Sequence, residues 1–203
     1  MARPREFDEA TVLEAATGLF WRKGFEATST RDLVDAMGLT TASLYNAYGD
    51  KRSLYRRALA LYTGNALAWC DATLSAPGPA REALRRFFDT IGQETLAQID
   101  PRGCFVVNAG LEMAPHDPEF QAAVANVFRQ IEASLRSCVR RGQIDGSVAP
   151  RLAADDLASL LLGQMLALRV LARGAPEPGL VQGMVGAVDT LLGPTGHDHA
   201  LRL

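Results

Sequence analysis

The sequence predicts an all-α fold of about nine helices, and three observations carry that expectation. Apolar residues recur at helical spacing through most of the 203 residues, helix start and stop residues fall between those stretches, and no alternating strand pattern competes with them. Val12, Leu13, Ala16, Leu19 and Phe20 share a face and Gly24 supplies a stop, so a first helix is expected from Phe7 to Lys23. Ser29 with Asp32 makes a capping box, using Asp where Glu is usual, and Leu33, Val34 and Met37 give a short second helix that Gly38 ends. After a turn at Leu39-Thr40, the stretch TASLYNAY forms a third helix of about two turns. Asp50 caps a fourth, running from Lys51 towards Thr73 with Leu54, Leu59, Leu61 and Leu67 among its apolar residues.

The segment APGPA, 76–80, is the clearest break in the chain, and a working boundary lies near it. A long fourth helix can belong to both sides, however, and the division expected is 1–57 for an N-terminal part and 58–203 for the rest. A helix from Ala80 to Ile99 comes next, followed by two similar starts, Asp100-Pro101 and Asp117-Pro118. Each sets an N-cap Asp before a Pro whose missing N–H costs nothing at the first helical position. After the second start, Phe120, Val124, Val127, Ile131, Leu135 and Cys138 trace a stripe that is expected to end at Arg140-Arg141-Gly142. A helix from Ala153 to Arg173 is apolar nearly all round and must be covered on more than one side. The last helix, Gly179 to Leu192, lines up Leu180, Met184, Val188 and Leu191.

Composition bounds the function more weakly than position does. The net charge is only −2, yet Lys51, Arg52, Arg56 and Arg57 form a local run opposed by Asp50 alone; such a patch can attract phosphate or be a solvated helix face, the latter being the reading for Arg56 and Arg57. Three cysteines, Cys70, Cys104 and Cys138, show no CxxC pairing, so neither a disulfide framework nor a zinc site is indicated and a reducing, cytoplasmic setting fits. No run of eighteen apolar residues exists and the N-terminus is charged, so no membrane partner and no export are expected.

Two short helices joined by a Gly-containing turn form a helix-turn-helix, whose second helix can enter the DNA major groove. In LTTASLYNAY, Leu44 and Tyr48 face inward, leaving Thr41, Ala42, Tyr45 and Asn46 on the opposite face. Hydroxyls of Thr40, Ser43 and Tyr45 suit phosphate oxygens, and the Lys51 ammonium can reach the same strand. The Asn46 amide can pair both edges of adenine, a contact worth about 1–3 kcal/mol of discrimination, and Arg31 could do the same for guanine.

Residues 7–57 resemble the TetR/AcrR family of transcriptional regulators through LFWRKGFEATS and TRDLVDAMGLTTASLYNAYGDKRSLY. The resemblance implies DNA-contact roles for Arg31, Thr41, Ala42, Ser43, Tyr45, Asn46 and Lys51. Ala42 stands where Gly is common, and the recognition helix holds no Lys or Arg, which puts direct reading of guanine from it in doubt. Farther on, RGCFVVNAGLE and DPEF resemble a subgroup of the same family. That implies a helical regulatory domain that binds an effector and forms a homodimer through the last two helices.

Cys104, Asn108 and Glu112 follow at four-residue spacing, so one helix face carries thiol, amide and carboxylate among Val107 and Leu111. These groups could orient a small molecule in an apolar cavity, with Trp69, Phe88, Phe128, Met165 and Leu168 among its walls, or serve as interhelical hydrogen-bond partners. If Asp100 caps its helix, the Cys104 thiol lies near exposed N–H groups and Arg102, as in an electrophile or redox sensor; a small buried hydrophobe is the other reading. His116 in APHDP could face a ligand or solvent, Arg3 and Arg5 could touch DNA or hang free, and His197-Asp198-His199 lacks the third ligand of a metal site. No cofactor is implied.

The function expected is a ligand-responsive repressor that leaves a near-palindromic double-stranded DNA operator when a small-molecule effector binds. Two readings compete with it, a helical carrier or enzyme without DNA binding and an adaptor acting through protein contacts. No nucleophile–base pair or phosphate loop supports an enzyme.

Overall fold

The computed structural model describes residues 8–97 and 102–194, and among them it is all-helical: nine helices and no strand. α1 (Glu9–Lys23) starts at Asp8, whose carboxylate accepts the Ala10 N–H at 3.1 Å and the Thr11 hydroxyl at 2.7 Å. α2 (Thr30–Met37) opens on the expected capping box, with the Asp32 N–H donating to Ser29 Oγ at 3.1 Å and the Ser29 N–H to Asp32 Oδ2 at 2.9 Å. The Lys23 ammonium, 2.9 Å away, and the Ser29 N–H and hydroxyl hold the Asp32 carboxyl far below its ordinary range. α3 (Thr41–Tyr48) and α4 (Lys51–Leu74) follow, capped by Thr40 and Asp50.

Beyond the 76–79 turn lie α5 (Ala80–Ala97), α6 (Phe105–Glu112), α7 (Pro118–Asp145), α8 (Ala154–Leu171) and α9 (Pro178–Leu192). α1 packs on α4 and α2, α3 joins α2, and this head continues into the body along α4, which also lies against α5, α6 and α7. Within the body α7 lies on α8 and α5 on α9. Arg136 and Arg140 both reach Asp155, tying α7 to α8. Arg81 donates to the Gly193 carbonyl at 2.5 Å and to Asp189 Oδ1 at 3.0 Å, which seats a cation at the carbonyl end of α9.

One side chain joins head to body. Tyr55 of α4 is fully buried, and four rings stand edge-on around it: Phe20 of α1 at 5.0 Å, Phe25 at 5.2 Å, Phe105 of α6 at 5.2 Å and Phe120 of α7 at 5.4 Å. Edge-to-face pairs at such distances add about 0.5–1.5 kcal/mol each beyond the area they bury.

Two boundaries differ from expectation. α7 runs three residues past Gly142 to Asp145, because Gly142 is not a stop: Val148 and Ala80 lie where its side chain would be. The stop is Gly146, in the left-handed region at φ 76°. α6 begins at Phe105 with Cys104 at the N-cap and no side-chain cap bond; Asp100 and Pro101 lie outside the described residues.

Candidate nucleic-acid interface and effector cleft

α3 is amphipathic over two turns. Leu44 and Tyr48 are buried, while Thr41, Ala42, Tyr45 and Asn46 are exposed and Ser43 is half-buried. The outward face is set locally: Thr40 Oγ1 accepts the Ser43 N–H at 3.1 Å and lies 2.9 Å from Ser43 Oγ. Tyr45, 44% exposed, has its hydroxyl 3.3 Å from Thr30 Oγ1 in the first turn of α2, so hydroxyls gather where N–H groups of α2 lack helical acceptors. Such a cluster suits a phosphate oxygen. Arg31 extends from the same turn, its side chain 92% exposed and 3.9 Å from Asp35. Lys51 holds its ammonium 4.3 Å above the Phe25 ring, beside α3. The eight sequence-predicted DNA-contact residues, Arg31, Thr40, Thr41, Ala42, Ser43, Tyr45, Asn46 and Lys51, therefore lie on α2, α3 and the first turn of α4.

The rest of the cationic run is paired with carboxylates of its own chain, Arg52 half-buried and Arg56 and Arg57 exposed on a solvated helix face. Arg52 pairs with Asp117 at 2.7 Å and Glu119 at 2.6 Å, Arg56 with Glu119 at 3.5 Å, and Arg57 with Glu9 at 3.4 Å. These cations brace α4 against α7 and α1. The Arg52 guanidinium, with N–H groups of the α7 first turn, holds the Asp117 carboxyl below the ordinary value near 3.8. Its folded pKa being the lower one, the carboxylate stabilises this brace fully above that ordinary value, and the stabilisation is lost as pH falls through the folded pKa. Acid titration should therefore loosen the native protein less in Asp117→Asn, which lacks the titrating group, than in the wild type. Hydrogen exchange of the α7 first turn from pH 6 to pH 3 measures this.

Glu112 takes the second of the two roles its spacing allowed, a hydrogen-bond partner between elements, and does not face a ligand. Its carboxylate accepts the Phe25 N–H at 2.9 Å and the Glu26 N–H at 2.8 Å, in the turn between α1 and α2. Gly24 permits that approach: it adopts φ 83°, and a Cβ there would meet the carboxylate oxygen at 2.8 Å. Because the ring of Phe25 carries Lys51, the end of α6 is one residue away from a cation of the candidate DNA-facing surface.

A cleft of about 460 Å³ opens where head meets body. Trp21 of α1 forms one wall, and Tyr62, Asn65, Ala66 and Trp69 of α4 another. Glu94 and Thr95 of α5, Arg102 and Gly103 before α6, and Arg169 and Ala172 at the end of α8 close the rest. Smaller depressions of about 400 and 260 Å³ lie between α5 and α9 and among α4, α6 and α7.

Of the sequence-predicted ligand residues, Trp69 lines this cleft, and Asn108 and Cys104 serve it from behind. The Asn108 amide donates to the Arg102 carbonyl at 2.9 Å, and the Tyr62 hydroxyl donates to Cys104 Sγ at 3.7 Å. Phe88 faces the depression between α5 and α9. Leu111 is 72% exposed, and Glu112 is committed to the α1–α2 turn, so neither forms a cavity wall. Met165 and Leu168 are buried core, and Val107 and Phe128 are half-buried outside the cleft lining. Burial pushes the Cys70 thiol up to about 12 and Cys138 up to about 11, so both stay protonated and inert. The half-buried Cys104 thiol packs against the core and accepts a hydrogen bond from the Tyr62 hydroxyl.

His116 is exposed in its loop. Arg3, Arg5 and His197-Asp198-His199 lie outside the described residues. Among the described residues no group of three or more His, Cys, Asp or Glu could hold a metal ion, and no helix is long and apolar enough to cross a membrane.

A head with an outward two-turn reading helix on a helical body with its own cleft defines a DNA-binding transcriptional regulator. The chain belongs to the TetR family. The family model for bacterial regulatory proteins of the tetR family matches residues 12–58, and that for the tetracyclin repressor-like C-terminal domain matches residues 80–182. The chain is 34% identical to the uncharacterised HTH-type transcriptional regulator YezE of Bacillus subtilis (strain 168), over 73% of this chain and 76% of that protein. It is 30% identical to the HTH-type transcriptional repressor ComR of Escherichia coli (strain K12), over 89% and 87%. Its fold matches the TetR-family regulator CifR, solved as a cysteine mutant with a 26-bp double-strand operator, at TM-score 0.80 and 29% identity over 96% and 100%.

Proposed function

We propose that the protein is a repressor that holds a near-palindromic operator as a homodimer and releases it when a small molecule enters the body. The carrying observation is the orientation of α3: Tyr45 and Asn46 face outward while Leu44 and Tyr48 anchor the helix from within. Asn46 reads a base edge, Arg31 reaches a second, and Thr40, Thr41, Ser43, Tyr45 and Lys51 meet backbone phosphates around the small, exposed Ala42. The operator-bound CifR structure and the repressor ComR support this assignment. The proposed division into residues 1–57 and 58–203 is supported by the two family models, which leave 59–79 of α4 and its following turn between them. A cytoplasmic setting follows from the DNA target.

The dimer rests on the outer face of α8 and α9. Leu160, Gly163, Ala167 and Val170 of α8, with Leu180, Gly183 and Ala187 of α9, are exposed, and none of them is charged. An uncharged apolar face of this extent calls for a partner, and a second copy brings two reading helices to one duplex. Half-sites about one helical turn apart, roughly 34–36 Å, or a multiple of it, follow from that symmetry.

Gel-shift titration with the DNA flanking the gene tests the reading. Asn46→Ala should weaken binding by about 1–3 kcal/mol, roughly 5- to 150-fold, and Tyr45→Ala with Asn46→Ala should lose preference for that DNA over a random duplex. Wild-type protein that binds both duplexes equally supports a carrier instead. A double variant with full operator affinity supports an adaptor.

A further inference from the structure

We propose that Glu112, the last residue of α6, is a positioning residue for DNA binding: it fixes the turn between α1 and α2 so that Phe25 seats Lys51 for its phosphate contact. The inference rests on the proposed function, in which Lys51 meets the operator backbone, and adds a residue of the body to that contact.

Local chemistry gives no reason for a carboxylate at this place. The end of a helix carries exposed carbonyls and partial negative charge, so an anion in the last turn is disfavoured. The compensation is tertiary. Within the turn, the Gly24 N–H donates to the Phe20 carbonyl at 2.8 Å, the Thr28 N–H to the Phe25 carbonyl at 3.2 Å and the buried Thr28 hydroxyl to the Gly24 carbonyl at 2.6 Å. The N–H groups of Phe25 and Glu26 find their partner outside the turn. Both go to the half-buried Glu112, one to each carboxylate oxygen, at 2.9 and 2.8 Å. Two N–H donors on one carboxylate make a charge-assisted pair with a fixed direction. A Cβ at Gly24 would lie 2.8 Å from Glu112 Oε2, so turn and carboxylate are fitted to each other.

From the turn the restraint passes to the cation. The Phe25 ring is stacked on Phe20 at 6.4 Å and stands edge-on to Tyr55 at 5.2 Å, and the Lys51 ammonium lies 4.3 Å over it. Asp50, the neighbouring acid, is committed to the Ser53 N–H at 2.6 Å as the cap of α4. A lysine side chain has many rotamers, and fixing it before DNA arrives lowers the ordering cost of the contact. Phe25 fixes Lys51, and Glu112 fixes Phe25.

Electrostatics alone predicts the opposite effect. A carboxylate near a DNA-facing surface repels phosphate, so its removal would tighten binding. Positioning predicts that its removal weakens binding.

Operator titrations of the full-length protein across a salt series, on DNA selected by the wild type, decide between these. Glu112→Gln keeps the side-chain shape but offers a single acceptor oxygen, and it should bind roughly tenfold more weakly at ~0.15 M salt. The slope of log K against log salt should shrink by about two per dimer, one phosphate contact in each chain. Lys51→Met should show the same loss and slope, and Glu112→Gln with Lys51→Met should lose no more than Lys51→Met alone. Hydrogen exchange at the Phe25 and Glu26 amides should quicken in Glu112→Gln. Phe25→Leu keeps both backbone bonds to Glu112 and removes the ring under Lys51, so it should shrink the slope equally, and it tests the link even where the Glu112 variant folds poorly. Operator affinity unchanged or raised in Glu112→Gln, a loss there with an unchanged salt slope, an unchanged slope in Phe25→Leu, or losses from Glu112 and Lys51 that add would each overturn the assignment. Wild-type protein that binds no DNA overturns the regulator reading and this inference with it, whereas wild-type binding with an indifferent Glu112→Gln overturns this inference alone.

Discussion

Gly163→Arg is expected to convert the dimer into single chains and to weaken operator binding by roughly 10²–10⁴-fold, the avidity that two linked half-sites confer. Gly163 lies mid-way along the exposed face of α8, and a side chain added there meets no atom within 4 Å in its own chain. Arginine is also the better helix former, by under about 1 kcal/mol, so the isolated subunit should fold as well as before or slightly better. Only a partner pressed against Leu160 and Val170 would feel the new guanidinium, and burying it unpaired in an apolar interface is costly. Sedimentation equilibrium reads the oligomeric state, and operator titration reads the affinity. A variant that remains dimeric with unimpaired DNA binding would move the interface away from α8.

Tyr55→Ala should cost about 3–5 kcal/mol, the range for deleting a buried aromatic side chain, out of a total stability of about 5–15 kcal/mol for a typical domain. The side chain is fully buried, and its four ring partners come from α1, the turn after it, α6 and α7, so the cavity opens where head and body meet. Repacking cannot close it without moving elements that have other partners. Tyr55→Phe is the informative control. It keeps all four ring contacts and removes a buried hydroxyl that has no hydrogen-bond partner, so its stability should equal or exceed the wild type. Burial, and to a lesser degree the Glu112 charge, already raises the phenol pKa, so ionisation of that hydroxyl contributes nothing near neutrality. Urea unfolding at one fixed protein concentration measures both variants, since dimerisation adds to apparent stability. A Tyr55→Ala cost under about 1 kcal/mol would mean the ring cluster is not a joint.

Legibility followed the range of the interactions involved. The facing of α3 was readable, because its inward Leu44 and Tyr48 and its outward Asn46 lie within five residues and obey helical spacing, while its Thr40 cap was read only as part of a turn. The Ser29–Asp32 capping box was readable for the same reason. Gly142 was misread as a stop because its use is tertiary: Val148 and Ala80 occupy the space its side chain would fill. Glu112 shares a helix face with Asn108, as its spacing implies, but the end of α6 abuts the Gly24 turn and directs the carboxylate to the head instead of a ligand. Arg52 belonged to a run open to either phosphate or solvent until α7 supplied Asp117 and Glu119, while Arg56 and Arg57 lie on the exposed helix face expected of them. One wall of the cleft carried a local signal, since Tyr62, Asn65, Ala66 and Trp69 recur at one face of α4. Trp21, Glu94, Arg102 and Arg169 could not be found that way, because they meet only when four separate segments pack.

The central claim is that two outward copies of α3, related by symmetry, read one duplex. Selection of bound sequences from random duplexes by the purified protein tests it most directly, with the stoichiometry of the selected complex measured alongside. The account predicts an enriched inverted repeat occupied by at least two chains, binding that weakens steeply as salt rises, and no enrichment with the Tyr45→Ala, Asn46→Ala protein. A pool that stays random, or a single asymmetric site filled by one chain, would contradict it.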